Sequence, residues 1–296
     1  MTKHAQLGGT FNFPDTTLTV HRIGYGAMQL AGPHVFGPPR DRAEAIAVLR
    51  EAIDSGVNHI DTSDFYGPHV TNQIIKEALH PYPKGLTLVT KVGARRGDDG
   101  SWILDRSREN LVESVHHNLR NLDLETLDIV NLRMGGFSTP EPGSIAEPLK
   151  VLIELKQQGL IHHIGLSTVS REQFAEAQTL TEIVCIQNFY NLANRGDDAF
   201  IHDLAKQGIA YVPYFPLGGF TPLQSSVMDT IAASLGVTPM QIAQAWLLHR
   251  SPNILLIAGT SRRTHLRENL GVAKLQLAPE IIAQLDSIGS ASLAPL

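Results

Sequence analysis

Residues 127–187 read LDIVNLRMGGFSTPEPGSIAEPLKVLIELKQQGLIHHIGLSTVSREQFAEAQTLTEIVCIQ. Three short apolar runs, at 127–132, 161–166 and 183–187, alternate with two longer amphipathic stretches, at 144–158 and 171–179. Short apolar runs of this kind read as strands, and the longer periodic stretches read as helices. Strands alternating with helices give parallel strands covered on their outer side. Runs such as VCIQ, with few interior polar residues, fit burial on both faces.

The same rhythm extends in both directions. Further strands are predicted at 22–26, 57–61, 86–91, 209–213 and 254–257, and further helices at 42–54, 71–79, 106–122, 197–206, 239–249 and 265–272. Eight such units build either a closed (β/α)8 TIM barrel or an open doubly wound sheet. The open sheet usually carries a G-x-G-x-x-G turn after its first strand. Here Gly24-Tyr25-Gly26-Ala27-Met28-Gln29 lacks the third glycine, and the barrel is the preferred reading. No composition break or Pro/Ser-rich linker divides the chain, so residues 1–296 are expected to form one domain. Residues 7–20 read as a β-hairpin ahead of the first barrel strand, with Pro14-Asp15 as its turn, placed to plug the bottom of a barrel. Asp41 is a plausible N-cap with Glu44 three residues on. Gly56, Gly159 and Gly208 follow predicted helices as C-terminal caps do.

Composition narrows the partners. Lysine and arginine number 24 against 29 acidic residues, a net charge of −5. That mild acidity gives no electrostatic reason to expect nucleic acid or an anionic membrane. No run approaches the ~18 apolar residues of a spanning helix. The first residues, MTKHAQLGGTFNF, show no apolar signal core, so a cytoplasmic location is the default expectation. Cys185 is the only cysteine, which leaves no internal disulfide and no cysteine metal cluster; in IVCIQN it reads as a buried small hydrophobe.

Reactive side chains in such barrels gather at the C-terminal ends of the strands. The second predicted strand ends in Asp61 and runs on through Thr62-Ser63-Asp64-Phe65-Tyr66-Gly67. The third ends in Lys91, the fourth in Asn131-Leu132-Arg133, and the sixth in Gln187-Asn188. An ammonium beside a tyrosine favours the phenolate, and a carboxylate beside the ammonium compensates its buried charge. Asp61, Lys91 and Tyr66 together would make a proton donor for a carbonyl oxygen. The same three residues also read as a structural ion pair beside an ordinary loop tyrosine, and spacing alone leaves both open.

Eight segments in order carry a resemblance: Gly24-Tyr25-Gly26-Ala27-Met28, residues 56–67, Val89-Thr90-Lys91-Val92-Gly93, Asn118-Leu119-Arg120-Asn121-Leu122, Ile164-Gly165-Leu166-Ser167, Gln187-Asn188, residues 214–219, and Gly259-Thr260-Ser261 leading to Glu268-Asn269-Leu270. Over nearly its whole length the chain resembles the aldo-keto reductases. The resemblance implies a nicotinamide-dependent oxidoreductase acting on a small-molecule carbonyl. Asp61, Tyr66 and Lys91 would be three of its four catalytic residues, with Tyr66 as the acid. It implies that Ser167 and Gln187 bond the nicotinamide carboxamide and that Tyr214 stacks on its ring. Leu217, Gly218 and Gly219 would approach the pyrophosphate. Gly259, Thr260, Ser261, Arg262, Arg263, Glu268 and Asn269 would hold the adenosine end, with Gly26, Met28 and Phe215 completing the cofactor set.

One position departs from the family. Its fourth catalytic residue is usually histidine at the end of the fourth strand, where this chain has Arg133. Arginine cannot shuttle a proton near neutral pH, but it can donate to a carbonyl oxygen. The replacement leaves three readings: substrate-restricted catalysis, a redox-sensing nicotinamide-binding subunit with little turnover, or an arginine that merely pairs with a carboxylate. Arg262 and Arg263 sit where the family reads a 2′-phosphate, which implies NADPH over NADH; they also read as the start of a solvated helix. Segments 24–33, 61–69, 92–97 and 215–224 are similar to a bacterial branch of the family, the pyridoxal reductases or pyridoxine 4-dehydrogenases, which implies reduction of pyridoxal to pyridoxine. A Schiff-base role for Lys91 would require it unpaired, and Asp61 argues against that.

No metal is expected from the sequence. The chain has 13 histidines, but the adjacent pairs His116-His117 and His162-His163 point apart, and no HExxH-like spacing occurs. Trp102 and Arg95-Arg96 fall in a loop after a strand, where they either line a substrate site or cover the rim.

Overall fold

A computed structural model describes residues 7–216 and 225–291. The chain opens with an antiparallel hairpin, β1 (Thr10–Asn12) and β2 (Thr19–His21), turned at Asp15 with a φ of +54°. Next come β3 (Tyr25–Gly26), α1 (Arg42–Asp54), β4 (His59–Asp61), α2 (Val70–Leu79) and β5 (Thr87–Val92). A second hairpin, β6 (Ala94–Arg96) and β7 (Trp102–Leu104), interrupts the alternation. It resumes with α3 (Arg108–Leu122), β8 (Leu127–Arg133), α4 (Ala146–Gln157), β9 (Ile161–Ser167), α5 (Arg171–Gln178), β10 (Cys185–Gln187), α6 (Asp198–Lys206) and β11 (Ala210–Tyr211). Among the described residues, four α-helices follow β11: α7 (Ser226–Leu235), α8 (Pro239–Arg250), α9 (Arg263–Gly271) and α10 (Pro279–Ala291).

Seven parallel strands form one sheet in the order β11-β10-β9-β8-β5-β4-β3. The spatial order follows the chain order without reversal, so there is no switch point of the kind a doubly wound sheet requires. Residues 253–256 hydrogen-bond to both edges of this sheet. Leu255 N donates to Tyr211 O (2.9 Å) and Leu256 N to Arg22 O (2.7 Å). The predicted strand 254–257 thus appears as a bridged segment, a geometry consistent with an eight-unit barrel.

Alternation along the strands sorts the core into two layers. Leu88, Val130, Leu132, Ile164, Leu166 and Ile186 pack outward in one cluster with helix residues such as Val48, Ile74, Val115 and Leu152. Val89, Ile129, Cys185 and Val212 turn to the other face and meet Phe13 and Val20 of the first hairpin. That contact fits the expected plug at the bottom. Cys185 is buried as predicted, its thiol pushed up to about 12 by burial.

Helix ends follow the sequence signals. Asp41 caps α1 by accepting from Glu44 N (2.9 Å). The Glu44 carboxylate, however, receives Arg263 N (3.0 Å) and the Arg263 guanidinium, which ties α1 to the start of α9. Gly159 ends its helix with a φ of +79°. No single helix among the described residues is long and apolar enough to cross a membrane.

Candidate active site

The face that carries Val89 and Ile129 also carries Lys91 and Arg133, two and four residues further along, where side chains again turn inward. Register places the reactive ends at one level: Gly26 opposite Asp61, Lys91 opposite Asn131, Arg133 opposite Ser167, and Ser167 opposite Gln187. These ends open into a cavity of about 580 Å³.

Asp61 and Lys91 are both buried, and Lys91 Nζ donates to Asp61 Oδ1 at 2.6 Å. Lys91 Nζ also donates to Thr62 O (2.9 Å), and Gln187 Nε2 donates to Asp61 Oδ2 (2.8 Å). Both carboxylate oxygens and the ammonium are therefore satisfied inside the protein, which such burial demands. The ammonium lies 5.1 Å from the centroid of the Tyr66 ring. Burial works against the Lys91 charge, but Asp61 and then Tyr66 hold its pKa above the ordinary value.

For Tyr66 the sequence argument expected a lowered pKa. The structure corrects this: burial raises it, and Lys91, with Arg133 further down, offsets only part of that rise. The phenol keeps its proton at neutral pH, as a proton donor must.

Arg133 donates to the carbonyl oxygen of Gly136, and it holds the Tyr214 phenol below where burial alone would push it. The Gly136 partner is a backbone carbonyl rather than a carboxylate. The Arg133 charge faces the cavity beside Tyr66.

The loop bearing Tyr66 rests on a buried polar network. Thr62 Oγ1 donates to Asn72 Oδ1 (2.7 Å), Asn72 Nδ2 to Asn118 Oδ1 (2.8 Å), and Thr90 Oγ1 to the same oxygen (2.6 Å). This joins the loop after β4 to α2, α3 and β5.

The cavity brings together most of the residues expected from sequence. Asp61, Tyr66, Lys91, Arg133 and Gln187 line it, as do Gly26, Met28, Tyr214 and Phe215. Gly259, Thr260, Glu268 and Asn269 line its far end. Gly26 and Gly259 pack backbone to backbone: a Cβ on Gly26 would stand 2.2 Å from Ile257 O, and one on Gly259 2.4 Å from Gly26 O. Only glycines allow that floor. Ser167 is fully buried beside Gln187 and does not line the cavity; Ser261, Arg262 and Arg263 lie outside its wall. Leu217, Gly218 and Gly219 lie outside the described residues.

Arg262 and Arg263 differ in their surroundings. The Arg263 guanidinium is paired with Glu44 (3.1 Å), whereas Arg262 is exposed and forms no ion pair among the described residues. Trp102 lines the cavity, its ring edge-on to Phe65 (5.6 Å between centroids) and covered by the Arg96 guanidinium at 4.0 Å. Arg96 thus supports Trp102 at the cavity rim. Phe137, Met240, Gln244 and His265 also line the cavity. Sequence reading missed them because Met240 and Gln244 on α8 and His265 on α9 carry no motif and Phe137 sits in a Gly-rich loop.

The aldo/keto reductase family model matches residues 22–290. The chain belongs to the aldo/keto reductase family. It is 65% identical to the pyridoxine 4-dehydrogenase of Escherichia coli (strain K12) over 274 residues, covering 92% of this chain and 96% of that one. Among solved structures, a thermostable aldo-keto reductase in complex with the inhibitor epalrestat matches with a TM-score of 0.78 at 29% identity, covering 95% of this chain and 99% of that one. An aldo/keto reductase from Klebsiella pneumoniae, solved with NADP and acetate, matches in fold with a TM-score of 0.74 at 23% identity, over 94% of each chain.

Proposed function

We propose that this chain is a one-domain (β/α)8-barrel reductase that uses NADPH to reduce an aldehyde, pyridoxal, to the alcohol pyridoxine. The observation that carries the reading is the buried Asp61–Lys91–Tyr66 group opening into the cavity with Arg133 beside it. The high identity to a pyridoxine 4-dehydrogenase supports the substrate.

A cavity running from Trp102 to Asn269 across the strand ends suits an extended dinucleotide. Gln187 would hold the carboxamide, with Ser167 buried opposite it on the neighbouring strand, Tyr214 would pack on the nicotinamide ring, and the bare Gly26–Gly259 floor would admit the cofactor backbone. Gly259, Thr260, Glu268 and Asn269 would surround the adenosine end, with Ser261 just outside that wall. Arg262, free of any carboxylate, reaches the 2′-phosphate as a fork-shaped donor; Arg263 contributes less because Glu44 holds it. NADPH, when bound, supplies the hydride.

The rest belongs to the chain. Tyr66 donates its phenolic proton to the aldehyde oxygen. Lys91 stabilises the resulting phenolate, and Asp61 keeps Lys91 charged and oriented. Arg133 polarises the carbonyl and stabilises negative charge on its oxygen, in a site where such charge is poorly screened. Phe65, Trp102 and Phe137 give flat apolar walls for an aromatic ring.

The test is NADPH oxidation, followed in the near ultraviolet, with pyridoxal in wild type and Tyr66→Phe. Turnover by wild type that Tyr66→Phe abolishes supports the reading. NADPH binding without turnover of pyridoxal replaces it with a redox-sensing subunit.

A further inference from the structure

Asp64, His69 and His117 come from three different elements and meet behind the Tyr66 loop. Asp64 lies in the loop after β4, His69 immediately precedes α2, and His117 sits on α3. One carboxylate oxygen and one ring nitrogen from each histidine all lie within 4.8 Å of one another. The two imidazole rings pack edge to face with centroids 4.5 Å apart. Asp64 is 4% exposed. Its Oδ1 and the buried Nδ1 of His69 have no hydrogen-bond partner. Asn118 and Ser114 hydrogen-bond the Asp64 carboxylate but leave Oδ1 unmatched, and orphaned buried polar atoms carry a full desolvation cost that a further ligand at the cluster would relieve.

We propose that Asp64, His69 and His117 form a binding site for one transition-metal dication of the zinc class, with water completing its coordination. Two imidazole nitrogens and one carboxylate oxygen are a donor set that such ions take. Bonds of about 2.1 Å in a tetrahedron put ligand atoms about 3.4 Å apart, so small side-chain rotations close the site. Burial lowers the pKa of both histidines, which leaves their lone pairs available. Burial also pushes Asp64 up to about 7, a penalty a bound cation removes. Glu113, whose Oε1 is 3.6 Å from His117 Nε2, adds favourable charge; Arg120 and His116 on the same helix oppose it. None of the three ligands lines the large cavity. The ion is therefore a clamp, tying the starts of α2 and the face of α3 to the loop that carries Tyr66.

The test uses chelator-stripped full-length protein titrated with Zn2+ by calorimetry and with Co2+ by visible absorption. Wild type is expected to bind one equivalent, to give the intense visible bands of low-coordinate Co2+, and to melt at a higher temperature with Zn2+. His117→Gln, at a half-buried position, is expected to bind at least about 100-fold more weakly, the upper end of what losing even an outer-shell partner costs. Asp64→Asn should behave likewise, and His116→Gln, outside the cluster, should bind as wild type. No one-equivalent binding by wild type, wild-type affinity in His117→Gln, or equal weakening in His116→Gln and His117→Gln each overturns the proposal.

Discussion

Tyr66 shows how a local environment is read correctly in kind and wrongly in sign. The sequence places a lysine and a carboxylate near it, and the structure does so at hydrogen-bonding distance between the two charges. Burial nevertheless dominates and raises the phenol pKa, a quantity no spacing rule contains. A protonated donor is what reduction needs. Reductive kcat/KM is therefore expected to stay level through neutral pH and fall only above the ordinary phenol range of about 10, as a pH–rate profile will show. Replacing Tyr66 with Phe should cost about 10²–10⁴ in kcat while NADPH affinity, read by fluorescence quenching, is retained. Arg133→Met removes a donor at the developing oxyanion and should lower kcat/KM for the aldehyde by about 10²–10³. An unchanged value would remove Arg133 from the mechanism.

At the scale of elements, the strand ends were legible because parallel buried strands are short apolar runs closed by a polar residue. The helix from Arg42 to Asp54 was legible because Asp41 announces it. Glu44 was read only as a capping partner, so its pairing with Arg263 was invisible: nothing local links residues so far apart in sequence. That pairing changes the cofactor prediction. Arg262→Ala should raise KM for NADPH and leave KM for NADH alone, and Arg263→Ala should raise it less; steady-state kinetics with both cofactors decides this. The β6–β7 hairpin was read as a loop because GARRGDDGSWIL is charged and glycine-rich, yet it delivers Trp102 to the cavity. Helices α7 and α10 lie beyond the eight-unit count that organised the sequence reading. The Asn118 network belongs to this scale as well. Asn118→Ala strands the Asn72 amide and the Thr90 hydroxyl, which both donate to Asn118 Oδ1, and should lower stability by about 1–3 kcal/mol in a denaturant melt.

For the whole molecule, the run of strand signals made the parallel, curled sheet legible, while the bridging of its two edges by the 253–256 backbone, consistent with an eight-unit barrel, was not. Buried titratable groups make the fold sensitive to pH in opposing ways. His59 is buried, and burial, with the neighbouring His21, lowers its pKa to about 4. The unfolded chain binds that proton more tightly, so stability from His59 is lost as pH falls from about 6.5 toward about 4. Asp64 acts the other way: its raised pKa means stability is lost as pH rises from about 4 toward about 7. A melt averages the two, whereas NMR titration of the His59 ring isolates the first, and a midpoint near that of a surface histidine would contradict the packing described.

The most direct test of the central claim is the rate of pyridoxal reduction with NADPH by wild type and by Tyr66→Phe, measured side by side. The account predicts steady NADPH consumption by wild type, loss of it in Tyr66→Phe, and equal NADPH binding by both. Equal turnover by the two proteins, or NADPH binding by wild type with no pyridoxal reduced, would contradict it.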